Sequence, residues 1–278
     1  MCRINITYKL YNLVFSKLNT VKYYVKEKVL YFFYKKKFAE LIIKKNPKVS
    51  IICPTYNRCD LLIERAVKSV LNQTYTNFEF LIISDGSTDN TATEIKKIND
   101  PRINFFQIKR IKKYPETIEN YWSCGPVNAI NYGLKKMNGD WICRIDDDDI
   151  WTHDHIEVLL NFALKNKLEF VSSSLIEVRH GVKKINNSIN EIPRIGGVQT
   201  WLYAGYLKFF ECNINCWRKN WNKMNDVDLQ DRFVKTKIKM GFLDYPTVLI
   251  TPRPGDEDIG IKAYKNREGF YKEHFRYK

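Results

Sequence analysis

The segment "RIDDDDIW" sets four carboxylates, Asp146, Asp147, Asp148 and Asp149, between an apolar run and the pair Ile150 and Trp151. Adjacent negative charges repel, and carboxylates beside an apolar wall lose the water that stabilises them. Three uses fit such a cluster. Its oxygens suit a hard divalent cation. A carboxylate can act as general acid or base. A solvated acidic loop needs neither. The preceding "WICRI" has the pattern of a buried strand, so the cluster is bracketed by apolar residues on both sides. That favours a partly desolvated pocket mouth, where a cation offsets the cost of the charges. A metal held by one or two carboxylates commonly completes its shell with a substrate's phosphates.

The elements that must position this cluster alternate. "VSIICPTYN", "FEFLIISDGS", "INFFQIK" and "DWICRI" read as strands. "CDLLIERAVKSVLNQ", "TDNTATEIKKIN" and "PVNAINYGLKKMNG" read as helices between them, the last closed by Gly139. Alternation of this kind predicts an α/β fold with a mostly parallel sheet flanked by helices. Ligands of such sheets bind beyond the carboxyl ends of the strands. Three strand ends carry polar groups here: Tyr56-Asn57-Arg58, Asp85-Gly86-Ser87 and the four aspartates. Neither G-x-G-x-x-G nor G-x-x-x-x-G-K-[ST] follows the first strand, which argues against a dinucleotide dehydrogenase and a P-loop NTPase. Beyond residue 168, "EFVSSSLIEV", "FFECNINCW" and "FLDYPTVLI" read as strands and "VDLQDRFVKTKIKMG" as a helix.

Net charge is +15 over 278 residues, but it is unevenly placed. Residues 1–48 hold twelve basic side chains against Glu27 and Glu40, a net of +10. Residues 8–45 read as helix, with Val14, Leu18, Val21, Val25, Val29 and Phe32 at three- and four-residue spacing and ten aromatics among the lysines. A stripe of this kind fits an anionic membrane surface. Packing on the following domain and helix-mediated homo-oligomerisation are the alternatives. No apolar run reaches the ~18 residues of a membrane span. Seven cysteines, with no secretion-type apolar leader ahead of them, fit buried free thiols in a reducing cytoplasm.

"VSIICPTYNR", "SDGSTDNT", "NAINYGL", "GDWICRIDDDDIW" and "NDVDLQDRF", in that order, resemble the motifs of family 2 glycosyltransferases with the GT-A fold. The resemblance covers about residues 49–254. It implies a catalytic domain over 49–254, with a nucleotide-binding half (49–150) and an acceptor half (151–254). The basic segment 1–48 precedes it and a helical tail, 255–278, follows. It further implies an inverting, metal-dependent transfer of a sugar from a nucleotide-diphosphate sugar, UDP-linked by preference. The acceptor would be a glycan or lipid-linked glycan, and the charge of residues 1–48 would place the enzyme at the inner face of the cell membrane. Pro54, Tyr56 and Arg58 would line the nucleoside pocket and Asp85 would bind the base edge. Asp146 or Asp147 would lie near the ribose. Asp148, with Asp149, would hold Mn2+ or Mg2+. Asp226 would be the catalytic base, with Asp228 as fallback.

Three departures from the family pattern stand out. Ser84 occupies the place of the first of two aspartates, Asp85 being retained. Ile130 occupies the place of an arginine, leaving Arg144, Arg253 or a lysine to meet the phosphates. Asn225 occupies the place of a glutamate before Asp226. Asp231 shares the Asp226 helix, where at least one acid is expected to be plain surface charge. His153 and His155 follow the acidic run and are expected in the first turn of a helix capped by Thr152 rather than on a metal. Trp201, Tyr203, Tyr206, Trp217 and Trp221 are candidates for stacking on an acceptor sugar. Three rival functions stand beside this one: a metal-dependent nucleotidyl or phosphoryl transferase, a protein holding single-stranded nucleic acid on its basic aromatic N-terminus, and a catalytically inactive membrane-associated scaffold, against which intact Asp85, Asp148 and Asp226 argue. The acidic strand edge speaks against nucleic acid as a partner.

Overall fold

The structure, a computed structural model, describes residues 2–110, 117–216 and 224–270. Its centre is a pair of strands, β1 (Val49–Thr55) and β2 (Phe78–Ser84), in which every residue is buried. Both faces are covered, so these strands are apolar runs rather than alternating ones. With β3 (Ile103–Gln107) and β4 (Trp141–Arg144) they form a parallel set in the order β3-β2-β1-β4. The sheet continues through five further strands: β5 (Asp149–Trp151), β6 (Phe170–Arg179), β7 (Val182–Asn186), β8 (Leu202–Ala204) and β9 (Met240–Ile250). The path beyond β4 runs β8-β6-β9-β5, with β7 as a hairpin partner of β6. β8 is antiparallel to β4 and β6, β9 is parallel to β6, and β5 is antiparallel to β9. The alternating α/β expectation therefore holds for the first half. The second half bends back with mixed pairing, and β5, β7 and β8 were not foreseen.

The helices are α1 (Cys2–Tyr34), α2 (Lys37–Leu41), α3 (Cys59–Leu61), α4 (Lys68–Leu71), α5 (Thr91–Lys97), α6 (Ile118–Cys124), α7 (Val127–Lys136), α8 (His155–Asn166), α9 (Asn225–Thr236) and α10 (Gly260–Asn266). α3 and α4 are joined by a π-helical turn, Leu62–Val67, into one continuous helix. α7 packs across β1 and β2. Gly139 does not cap it: the C-cap is Met137. A Cβ on Gly139 would lie 2.5 Å from Ser50 Oγ, so this glycine permits close approach of the chain to β1.

Two other expectations are corrected. "FFECNINCW" contributes no strand among the described residues. A 3-10 turn, Gly205–Phe209, and irregular chain replace it, and Phe210 packs edge-on against Phe233 at 4.7 Å. Thr152 is not the cap of α8. Asp154 is the N-cap, and Thr152 donates its hydroxyl to Asp154. The six described cysteine side chains are buried and free, as the thiol reading requires.

α1 lies on the domain, against α9 and the turn Gly205–Phe209. The face that docks stacks Tyr34 on Phe209 at 5.8 Å and carries polar contacts. Asn19 donates to Asn213 at 3.0 Å, Tyr31 donates to Glu169 at 2.9 Å, and Glu27 forms a buried ion pair with Arg232. The apolar stripe points the other way: Val14, Leu18, Val21, Val25, Val29 and Phe32 are 50–67% exposed.

Candidate active site

The register of the parallel strands builds the site. Ser84 pairs with Thr55, so β1 and β2 end level, while Arg144 pairs with Ile52, so β4 ends three residues short of them. The chain leaving β4 then runs beside the end of β1. Thr55 donates to the Asp147 carboxylate at 2.9 Å. One cavity opens on this edge, and Pro54, Tyr56, Arg58, Asp85, Asp146, Asp147, Asp148, Asp149 and Asp226 all line it.

The four aspartates have separate environments. Asp146 is gripped by Arg144 at 2.9 Å. Asp147 is held by Thr55 and, at 2.9 Å, by Arg58. Burial pushes it up to about 6, with Asp148 adding to the rise against the pull of Arg58. Asp148 is pushed up by burial too, but Arg58, Arg253 and Arg65 outweigh this and hold it below the usual carboxylate range. Its carboxylate lies 3.5 Å from Arg58 and 3.7 Å from Arg253. Asp149 is buried and raised well above the ordinary value, by burial first and then by Asp148 and Asp146. Its Oδ2 has no hydrogen-bond partner. Such a carboxyl either keeps its proton or meets a cation.

This donor set fits a hard cation. Asp148 presents a charged carboxylate in the cavity, and Asp149 has an oxygen to spare. Among the described residues no three His, Cys, Asp or Glu side chains converge on one point. A cation here would take Asp148 and Asp149 from the protein and complete its shell with other oxygens.

At the far side of Asp146, Arg144 also donates to Asn225 at 3.1 Å, and Asn225 donates to the Ser123 carbonyl at 3.1 Å. The amide that replaces a glutamate therefore holds Arg144 in place. Asp226 follows in the first turn of α9. Burial raises its pKa, and Arg144 works against that rise. A carboxylate so raised is a stronger proton acceptor near neutral pH. Asp228 is corrected as a fallback base. It is fully buried, does not line the cavity, and accepts from Arg232 Nε at 2.9 Å.

Asp85 sits at the other end of the cavity. Arg110 donates to it at 3.1 Å and Asn128 at 3.2 Å. Arg110 also lies 3.5 Å above the Tyr56 ring and donates to the Tyr121 hydroxyl at 2.7 Å. Gly86 makes this possible. It has φ +76°, and a Cβ there would come within 3.0 Å of Arg110 Cβ. Ser84, in the place of an aspartate, accepts from the backbone of Ser87 at 3.1 Å and closes the same turn.

Several residues at or behind the cavity escaped the sequence reading. Arg110 follows β3 and is a fourth strand-end group at the same edge, so the rule that found the other three points to it as well. Tyr264 on α10 accepts from Arg58 at 2.6 Å. Arg65, within the π-helical turn, donates to the backbone oxygens of Asp148 at 2.8 Å and Pro252 at 2.7 Å, tying the acidic turn to the segment after β9. No local pattern announces either contact. Ile130 is core. Arg144 and Arg253 both line the cavity, and no lysine does among its described lining.

Other candidates resolve to packing. His155 is buried, stacked on Trp151 at 3.9 Å, bonded to Thr247, and lowered to about 3 by burial, so it is neutral. His153 is exposed. Trp201 and Tyr203 are core, and Tyr206 bonds Glu169. Asp231 is half-buried outside the cavity lining. Trp217 and Trp221 lie outside the described residues.

Residues 50–223 match the family described as glycosyl transferase family 2. An uncharacterized glycosyltransferase of Rickettsia bellii is 38% identical over 184 residues, 62% of this chain and 24% of that protein. The UDP-Glc:alpha-D-GlcNAc-diphosphoundecaprenol beta-1,3-glucosyltransferase WfgD of Escherichia coli is 32% identical over 168 residues, 60% of this chain and 57% of that protein. The chain thus spans 24% and 57% of the length of these two relatives. Among solved structures, S. aureus TarS 1-349 in complex with UDP-GlcNAc aligns with a TM-score of 0.59 at 19% identity, over 76% of this chain and 60% of that one. The α/β sheet has the GT-A arrangement expected from the sequence motifs. With the family match covering more than half its length, the chain belongs to glycosyl transferase family 2.

Proposed function

We propose that this protein transfers a sugar, with inversion, from a UDP-sugar to a hydroxyl of a lipid-linked glycan at a membrane surface. The observation that carries the reading is the convergence of Asp85, Asp148, Asp149 and Asp226 on one cavity together with Arg58 and Arg253. The WfgD relative, named for UDP-Glc and a diphosphoundecaprenol acceptor, supports the choice of donor and acceptor class.

Tyr56, Pro54, Asp85 and Arg110 form the nucleoside end. Both oxygens of Asp147 are occupied by Thr55 and Arg58, so Asp146, the more exposed of the two, is the one free to meet a ribose hydroxyl. Asp148 and Asp149 would hold Mn2+ or Mg2+, which when bound supplies Lewis-acid stabilisation of the departing diphosphate. Arg58 and Arg253 face the same region and pair with phosphate oxygens. Asp226 accepts the proton of the acceptor hydroxyl as that oxygen bonds to the anomeric carbon. The bond from that carbon to the diphosphate breaks on the opposite face. One displacement inverts the centre, and Asp226 later returns its proton to water.

The raised pKa of Asp226 fixes the pH response. Only the ionised form accepts a proton, so kcat is expected to fall as pH drops through that raised value. The pH dependence of kcat at saturating donor and metal checks this.

Donor class is tested by thermal shift with UDP, GDP, CDP and CMP, each with Mn2+ or with chelator. A ligand at ~100 times its dissociation constant adds about 2.7 kcal/mol to the folded state. UDP with Mn2+ is expected to raise the melting temperature of the wild type but not of Asp148→Ala. Equal shifts in chelator, or none with any nucleotide, would contradict the reading.

A further inference from the structure

We propose that the outward face of α1 is a docking surface for an anionic lipid bilayer, on which the helix lies parallel to the membrane plane. At 100° per residue, Val14, Leu18, Val21, Val25, Val29 and Phe32 fall within an arc of about 80°. The docking residues Asn19, Glu27 and Tyr31 centre on the opposite side of the helix. The domain therefore presents the stripe to solvent along about 27 Å, from Val14 to Phe32.

Charge complementarity names the occupant. Lys17, Lys28 and Lys35 flank the stripe on one side, and Lys22 and Lys26 flank it on the other, all exposed. Long lysine stems beside an apolar stripe let ammonium groups reach lipid headgroups while the stripe enters the acyl boundary. Beyond the Lys26 flank, Lys37, Lys135 and Lys208 line a groove whose one acid, among its described lining residues, is Glu211. A second copy of the chain fits poorly. Glu27 is the one acid within α1 and it is buried on Arg232, so pairing two stripes would set lysine against lysine. No described helix is long and apolar enough to cross a membrane, so the helix lies on the surface rather than spanning it.

The inference rests on the proposed function only for its use, bringing the cavity to a lipid-linked acceptor. Vesicle binding is blind to catalysis, so the two can fail separately. The full chain is sedimented with phosphatidylcholine vesicles containing or lacking phosphatidylglycerol. Binding is expected only with phosphatidylglycerol, and to weaken with salt. The triple change Lys17→Glu, Lys28→Glu, Lys35→Glu is expected to lower partitioning by at least ~100-fold, since each lysine near an anionic surface is worth about fivefold. Val21→Glu with Val25→Glu is expected to abolish binding with no change in melting temperature. Wild-type binding by these variants would overturn the proposal. So would failure to bind phosphatidylglycerol vesicles, or a dimer in sedimentation velocity that Val21→Glu with Val25→Glu dissolves.

Discussion

Asp226→Asn is expected to lower kcat for sugar transfer by roughly 10²- to 10⁴-fold, the usual contribution of a general base, while nucleotide affinity stays near wild type. Asparagine keeps the shape of the side chain and its contact with the backbone of Val227. It cannot take a proton. Arg144 keeps its grip on Asp146 and Asn225, so the donor end of the cavity is undisturbed. Asp228→Asn is the control. Asp228 sits two residues along the same helix but is turned into the protein against Arg232. Its loss is expected to reduce stability, with kcat changed far less than by Asp226→Asn. Steady-state kinetics and denaturant melts on both variants separate the two roles.

The second large effect concerns folding. Arg232 is buried between Glu27 on α1 and Asp228 on α9, and it also donates to the Glu211 carbonyl at 2.7 Å. Two fully buried carboxylates share this cation. Arg232→Met is expected to cost about 3–5 kcal/mol, because it removes a buried cation that pairs with both acids. Glu27→Gln is expected to cost only about 1 kcal/mol, since the amide oxygen can still accept from Arg232 while Arg232 keeps its ion pair with Asp228. Urea titrations measure the contrast. Equal costs would show that the ion pair, rather than charge balance, sets the stability of the α1 junction.

The parts legible in sequence were those with a local physical signature. β1 and β2 read as strands because runs buried on both faces need continuous apolar residues. The acidic run stood out because Asp146 to Asp149 follow such a strand. The carboxyl ends of the parallel strands, with the chain leaving β4, carry Tyr56, Asp85 and Asp148 to one edge. α1 was legible as a helix but not in orientation. An apolar stripe ordinarily marks the buried face, yet here Asn19, Glu27 and Tyr31 dock and the stripe faces out. Periodicity finds a face and is silent on what covers it. "FFECNINCW" misled for a related reason: Phe210 fills the core from a turn, and burial alone does not require a strand. Tyr264 reaches the cavity, and Arg65 the backbone of its acidic turn, through contacts across 206 and 83 residues, which no short pattern encodes.

The most direct measurement is the anomeric configuration of the product. The full chain is incubated with a UDP-sugar, Mn2+ and a short-chain polyprenyl-diphosphate glycolipid, and the new glycosidic proton is assigned by NMR. A β-linked product from an α-linked donor, formed by the wild type and nearly absent with Asp226→Asn, is the expected result. An α-linked product, or unchanged transfer by Asp226→Asn, would contradict a single displacement driven by that carboxylate.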